Sequence, residues 1–262
     1  MNKAREASYF LEDGAGLEEH RIPWKGRGKL RLAYGIPKTE QPNQSSIILA
    51  PASGGGMNIP LINSLHMELA RNGFSTVKFN FPYTGGLWSL LRIPIPKEAT
   101  LLGYRTIIQE SKEKFKPASL IIGGLSLGAY AASVLAAQDP DLDIQGLLFL
   151  GYPLHNPGRP KQTRKSHLYK IAKPMLFISG ERDPFARPSL LEELVSSLSP
   201  KAQLHLVEHA NHVLNPHRGK EAYHRTLVEV AALIAAWAKL LPLSSSVPGY
   251  LQRPMSGKRA TT

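Results

Sequence analysis

Two patterns of apolar positions alternate along this chain. Short runs rich in β-branched and other apolar residues occur at 46–50 (SIILA), 75–81 (STVKFNF), 119–123 (SLIIG), 145–150 (QGLLFL), 174–179 (PMLFIS) and 202–207 (AQLHLV). Between them lie longer segments in which apolar residues recur every three to four positions, the period of a helix. The short runs are continuously apolar rather than alternating, which is the mark of strands covered on both faces. Helices are predicted after the first run, then over 98–115, 127–138, 188–198 and roughly 220–240. The first has Asn58 as N-cap, Pro60 in its opening turn and Gly73 just past its end. Repeated strand–helix alternation predicts an α/β fold with a mostly parallel central sheet and helices on both faces. Two earlier segments, 17–23 and 29–36, add an antiparallel edge hairpin.

The chain has 262 residues, of which 42% are hydrophobic and 20% charged. That suits one large domain over 17–242, with a flexible arm at 1–16 and a disordered basic tail at 243–262 that is rich in Ser, Pro and Gly. Cysteine is absent, which excludes disulfides, thiolate catalysis and cysteine zinc sites. No apolar run reaches the length of a membrane span or of a leader peptide, so a cytoplasmic protein is expected. The formal net charge is +12. Arg159, Lys161, Arg164, Lys165, Lys170 and Lys173 form a local basic cluster in a stretch from Ile144 to Gly180 without Asp or Glu. Such a cluster can serve nucleic acid, steer anionic substrates or be a solvated face; no nucleic-acid-binding motif accompanies it, and none of that kind of partner is expected.

The chemistry concentrates at strand ends. Gly124-Leu125-Ser126-Leu127-Gly128 matches G-x-S-x-G, follows an apolar strand and opens a helix. That is the setting of a nucleophile elbow, in which a sharp turn lifts a serine hydroxyl above the sheet edge. A serine hydroxyl needs a base to take its proton. The partners of such an elbow come later in the chain, acid before histidine. Asp183, just beyond the run 174–179, is the candidate acid, with Glu181 in reserve. His212, in the loop after 202–207, is the candidate base, with His209 competing. His205, His217 and His224 are read as packed or surface residues.

A tetrahedral oxyanion requires two backbone donors. The N–H of Leu127 supplies one, and Ser53 or Ala52 of the Gly-rich loop 51–57 supplies the other. Gly54 of that loop is a candidate substrate contact. So are Tyr83 and Trp88 of the unusually apolar connection 83–96, which reads either as an acyl pocket and lid or as a buried helix. No metal and no organic cofactor is implied.

On these residues the chain resembles the KANL3/Tex30-like branch of the α/β hydrolases, related more loosely to dienelactone hydrolases. The resemblance spans roughly 28–240. It rests on the Gly-rich loop 49–60, Phe79-Asn80-Phe81-Pro82-Tyr83, the elbow from Gly123 to Ala129, Gly151-Tyr152-Pro153-Leu154-His155 continuing to His167-Leu168, and Arg182-Asp183-Pro184-Phe185. It implies the α/β-hydrolase fold, a triad of Ser126, Asp183 and His212, and His155 as a further substrate-binding candidate. Where the family usually carries His-Gly, this chain has Pro51-Ala52. Some members are known as parts of regulatory complexes. Two functional expectations follow. One is a serine esterase, extending to thioesters or amides, that acts on a small-molecule substrate through an acyl-enzyme. The other is a non-catalytic interaction module on the same scaffold.

Overall fold

The computed structural model describes residues 8–10, 15–24, 28–53, 55–82 and 97–243. Nine strands form one sheet: β1 (Ser8–Phe10), β2 (Ala15–Pro23), β3 (Lys29–Pro37), β4 (Ser45–Ala50), β5 (Ser75–Phe79), β6 (Ser119–Leu125), β7 (Gly146–Leu150), β8 (Met175–Gly180) and β9 (Ala202–Val207). Their spatial order is β1-β2-β3-β5-β4-β6-β7-β8-β9. From β5 to β9 every pairing is parallel, while β1, β2 and β3 attach antiparallel at one edge. The expected α/β-hydrolase architecture and edge hairpin are therefore present.

The described helices are α1 (Pro60–Arg71), α2 (Lys97–Phe115), α3 (Leu127–Gln138), α4 (Pro188–Leu198) and α5 (Lys220–Lys239). The odd and even positions of the central strands feed two separate cores. On one face Ile48, Ile122, Phe149 and Phe177 pack with α2, α3 and α4; on the other Ile47, Ile121, Leu148 and Ile178 pack with α1 and α5. This two-sided burial explains why β4, β6, β7 and β8 are buried along their whole length and read as unbroken apolar runs. Strand β9 lies at the sheet's edge, and His205 on it is exposed.

Two expectations need correction. The N-cap of α1 is Ile59, with no side-chain cap bond. Asn58 instead closes a 3₁₀ turn (Gly56–Asn58), and its amide oxygen accepts from Lys78 Nζ at 2.8 Å. Within the stretch expected as a flexible arm, residues 8–10 add a strand to the exposed edge of β2, whose backbone groups would otherwise be unpaired. The tail from residue 244 and the connection 83–96 lie outside the described residues.

Candidate active site

The elbow is built by close backbone contact. A Cβ on Gly124 would stand 2.1 Å from the carbonyl oxygen of Ala50, and one on Gly128 would stand 2.4 Å from the same atom. Both are far inside van der Waals range, so β6 and the start of α3 can press on the end of β4 only because these positions carry no side chain. Between them Ser126 adopts φ 54°, ψ −108°. A non-glycine residue held there costs about 1–3 kcal/mol and persists only where its surroundings over-determine it. Its N–H donates to Leu150 O at 3.0 Å and its carbonyl accepts from Tyr130 N–H at 3.0 Å, which pins the turn from both sides. The N–H of Leu127, at the first position of α3, has no acceptor within the helix.

Asp183 follows β8 and is buried, with its side chain fully shielded from solvent. One carboxylate oxygen accepts from Phe185 N–H at 2.8 Å; the other lies 2.8 Å from His212 Nδ1. With a carboxylate as its acceptor, Nδ1 carries the proton of that bond, and Nε2 is the ring nitrogen that keeps a lone pair. The Phe185 ring rests on the imidazole, with centroids 4.5 Å apart.

His212 reaches its place through a tightly tied loop. Asn211 Oδ1 accepts from the N–H groups of Val213 and Asn215, at 3.0 and 3.1 Å, and Asn211 N–H returns to Asn215 O. Tyr223 of α5 donates its hydroxyl to Val213 O at 2.9 Å. Burial pushes that phenol up to about 12, so it remains a donor at any ordinary pH. The imidazole then lies over Gly151, where a Cβ would meet Nδ1 at 3.1 Å and the His212 carbonyl oxygen at 2.6 Å. Gly151 directly follows Leu150, the residue that accepts the Ser126 N–H. Asp183 and His212 are thus joined directly, and the imidazole sits on Gly151, next in the chain to the acceptor of the Ser126 N–H, at the carboxyl ends of the strands where open α/β sheets carry their chemistry.

Residues 43–239 match the family described as Alpha/beta hydrolase domain. The chain belongs to that family. Among solved structures it is similar to an alpha-beta serine hydrolase homologue from Coxiella burnetii, with 19% identity, 87% of this chain and 99% of the other covered, and a TM-score of 0.64. It is also similar to Est1E from Butyrivibrio proteoclasticus, solved with ferulic acid bound (15% identity, 84% and 99% covered, TM-score 0.68). A dienelactone hydrolase from Anabaena variabilis gives 20% identity, 84% and 96% coverage and a TM-score of 0.64. At these identities the three structures speak for the fold.

In this α/β hydrolase the reserve candidates do not reach the site. Glu181 and His209 are exposed surface partners, the Glu181 carboxylate accepting His209 N–H at 2.8 Å. His217 is tied to Asn211 Nδ2 at 2.9 Å, and His224 lies exposed on α5. Ser53 sits exposed in the loop after β4, and Ala52 beside it is half-buried. Gly54, Tyr83 and Trp88 lie outside the described residues.

His155 is placed differently from its expected role in contacting substrate. It is buried; its Nε2 accepts from Arg187 N–H at 3.0 Å and its Nδ1 donates to Asn156 O at 2.9 Å. Nε2 thereby ties the loop after β7 to the segment that follows Asp183, and Nδ1 is spent on the carbonyl of the next residue in its own loop. Part of the basic cluster is likewise engaged. Arg164 donates to Pro153 O and to Asn156 Oδ1, and Lys165 pairs with Glu193 at 3.4 Å, leaving Arg159 and Lys161 as its exposed members nearest the strand end. Sequence reading missed Gly151, Asn211, Tyr223 and Phe185 as supports of the histidine. Their signal exists only once the two loops are folded against each other. No cluster of three or more metal-ligating side chains occurs among the described residues, nor does any described helix suit a membrane span.

Proposed function

We propose that the protein is a serine hydrolase that cleaves an ester bond of a small molecule through an acyl-enzyme. Ser126 Oγ attacks the carbonyl carbon while His212 Nε2 takes the hydroxyl proton. Asp183 holds the imidazole in its productive tautomer and stabilises the imidazolium that forms. The N–H of Leu127 and one N–H from Ala52 or Ser53 receive the oxyanion. The imidazolium then protonates the leaving alcohol, and a water activated by the same histidine releases the acid. Within the family we place the chain in the KANL3/Tex30-like branch, on the Tyr152-Pro153-Leu154-His155 stretch.

The observation that carries this reading is the His212–Asp183 bond of 2.8 Å, with the imidazole seated on Gly151, the residue after the acceptor of the Ser126 N–H. Its test is labelling by a fluorophosphonate probe together with turnover of a p-nitrophenyl ester series. Stoichiometric labelling at Ser126, and loss of turnover by about 10⁶-fold in Ser126→Ala, is the expected result. A folded protein that neither labels nor turns over any ester would instead favour the interaction-module reading.

A further inference from the structure

One buried cation has no place in the triad. Lys78 lies near the end of β5, 4% exposed, with its ammonium 2.8 Å from Asn58 Oδ1 and 2.6 Å from Asn63 Oδ1. No carboxylate lies within 4 Å of it among the described residues. Burial pulls its pKa down, as expected for an ammonium whose contacts are neutral amides. An arrangement of this kind is costly unless the donors are well satisfied.

What Lys78 touches gives it meaning. Asn58 closes the 3₁₀ turn of the Gly-rich loop, and Asn63 lies in the first turn of α1. The ammonium therefore ties β5, the loop and α1 together. Two residues along, on the same side of the chain, Asn80 Oδ1 accepts from Met57 N–H at 2.7 Å. Consecutive loop residues, Met57 and Asn58, are held from one strand end. The loop needs outside support because its glycines offer no side chains to anchor it. Gly56 sits at φ 62°, and Gly55 is pressed so closely on Ile59 that a Cβ would stand 2.0 Å from Ile59 Cγ2.

We propose that Lys78 is a positioning residue for the oxyanion donor contributed by the loop after β4, acting through Asn58 and Asn63 with Asn80 as its companion; the proposal rests on the hydrolase reading above. The lysine touches neither substrate nor nucleophile. It sets where the loop's N–H points, so its loss is felt when charge develops on the carbonyl oxygen rather than when substrate binds.

The experiment compares wild type, Lys78→Met and the milder Asn58→Ala. The readouts are steady-state hydrolysis of a p-nitrophenyl ester, affinity for a trifluoromethyl ketone, and hydrogen–deuterium exchange over residues 55–58. For Lys78→Met we expect kcat to fall by about 10–100-fold with KM within about twofold. Ketone affinity should fall in parallel, and exchange should rise in that segment and not in α3. Asn58→Ala should show the same pattern at a few-fold scale. It keeps the test decisive if Lys78→Met does not fold. Unchanged exchange and unchanged kcat in a folded variant overturn the proposal, as does a change confined to KM. If wild type fails to label with fluorophosphonate, the hydrolase reading falls on that result alone. Raised exchange in such a protein would show a tether without a catalytic role and would overturn the proposal as stated.

Discussion

The loop that carries His212 and the loop after β4 reach the same rim of the sheet, yet they are held in different ways. The histidine loop is tied largely from within: Asn211 bonds to Val213 and Asn215, and the chain returns from Asn215 to Asn211. Outside help comes from Tyr223 and Asp183. The Gly-rich loop has no such internal web among its described residues and hangs on Lys78 of β5 and on Asn80 just past that strand's end. On the proposed mechanism the loop that holds the base is braced by its own side-chain acceptors, whereas the loop that offers a backbone donor to substrate is stripped of side chains and borrows its rigidity from a neighbouring strand.

Changes that strike the histidine side should cost most. Asp183→Asn keeps the shape but lets the amide choose the wrong imidazole tautomer, and kcat should fall by about 10⁴-fold with little change in KM. Steady-state kinetics with circular dichroism as a fold control reads this, and a drop below tenfold would remove Asp183 from its role. Gly151→Ala should follow, at about 10²-fold, because the new methyl meets the imidazole and the His212 carbonyl while the backbone sits at φ 50°. A crystal structure of that variant with His212 unmoved would contradict the account of Gly151 as its seat.

The mildest test probes the base of the Gly-loop side. His66 of α1 is fully buried, its Nδ1 2.8 Å from Thr76 Oγ1 and its Nε2 without a hydrogen-bond partner among the described residues. Burial, reinforced by the Lys78 charge, lowers its pKa to about 3. Below pH 6.5 the unfolded chain therefore takes up a proton that the folded ring refuses, and stability should fall as pH drops from 6.5 toward 3. The slope from this group is about 1.4 kcal/mol per pH unit at most. Urea titrations at pH 7, 6 and 5 should show a steeper acid loss in wild type than in His66→Gln, and equal slopes would refute the assignment. Ester turnover at neutral pH should barely change in that variant.

The strands and most helices were legible because two-sided burial writes itself as unbroken apolar runs; 127–138, 188–198 and 202–207 match the observed bounds. Order and position at strand ends singled out Asp183 and His212, which the structure joins by a hydrogen bond, and Ser126, which it places in a strained strand-to-helix turn. Less visible was anything that depends on which side chains meet across distant loops. Asn58 looks like a helix cap, because a sequence cannot show that an ammonium twenty residues later takes its oxygen. His155 sits in a stretch suggestive of ligand contact, yet its nitrogens serve the backbone. Lys78 did leave a trace, a lone charge inside the run STVKFNF, whose meaning appears only when β5 is seen beside the Gly-rich loop.

The double contact of Gly124 and Gly128 with the Ala50 carbonyl makes the end of β4 a common reference for the serine turn and the Gly-rich loop. Ala50 is also the residue from which the Gly-rich loop departs. On the proposed mechanism a small slide of β4 carries the serine turn and the root of the opposing donor in the same direction, which keeps the two in step, provided position 50 stays as small as alanine.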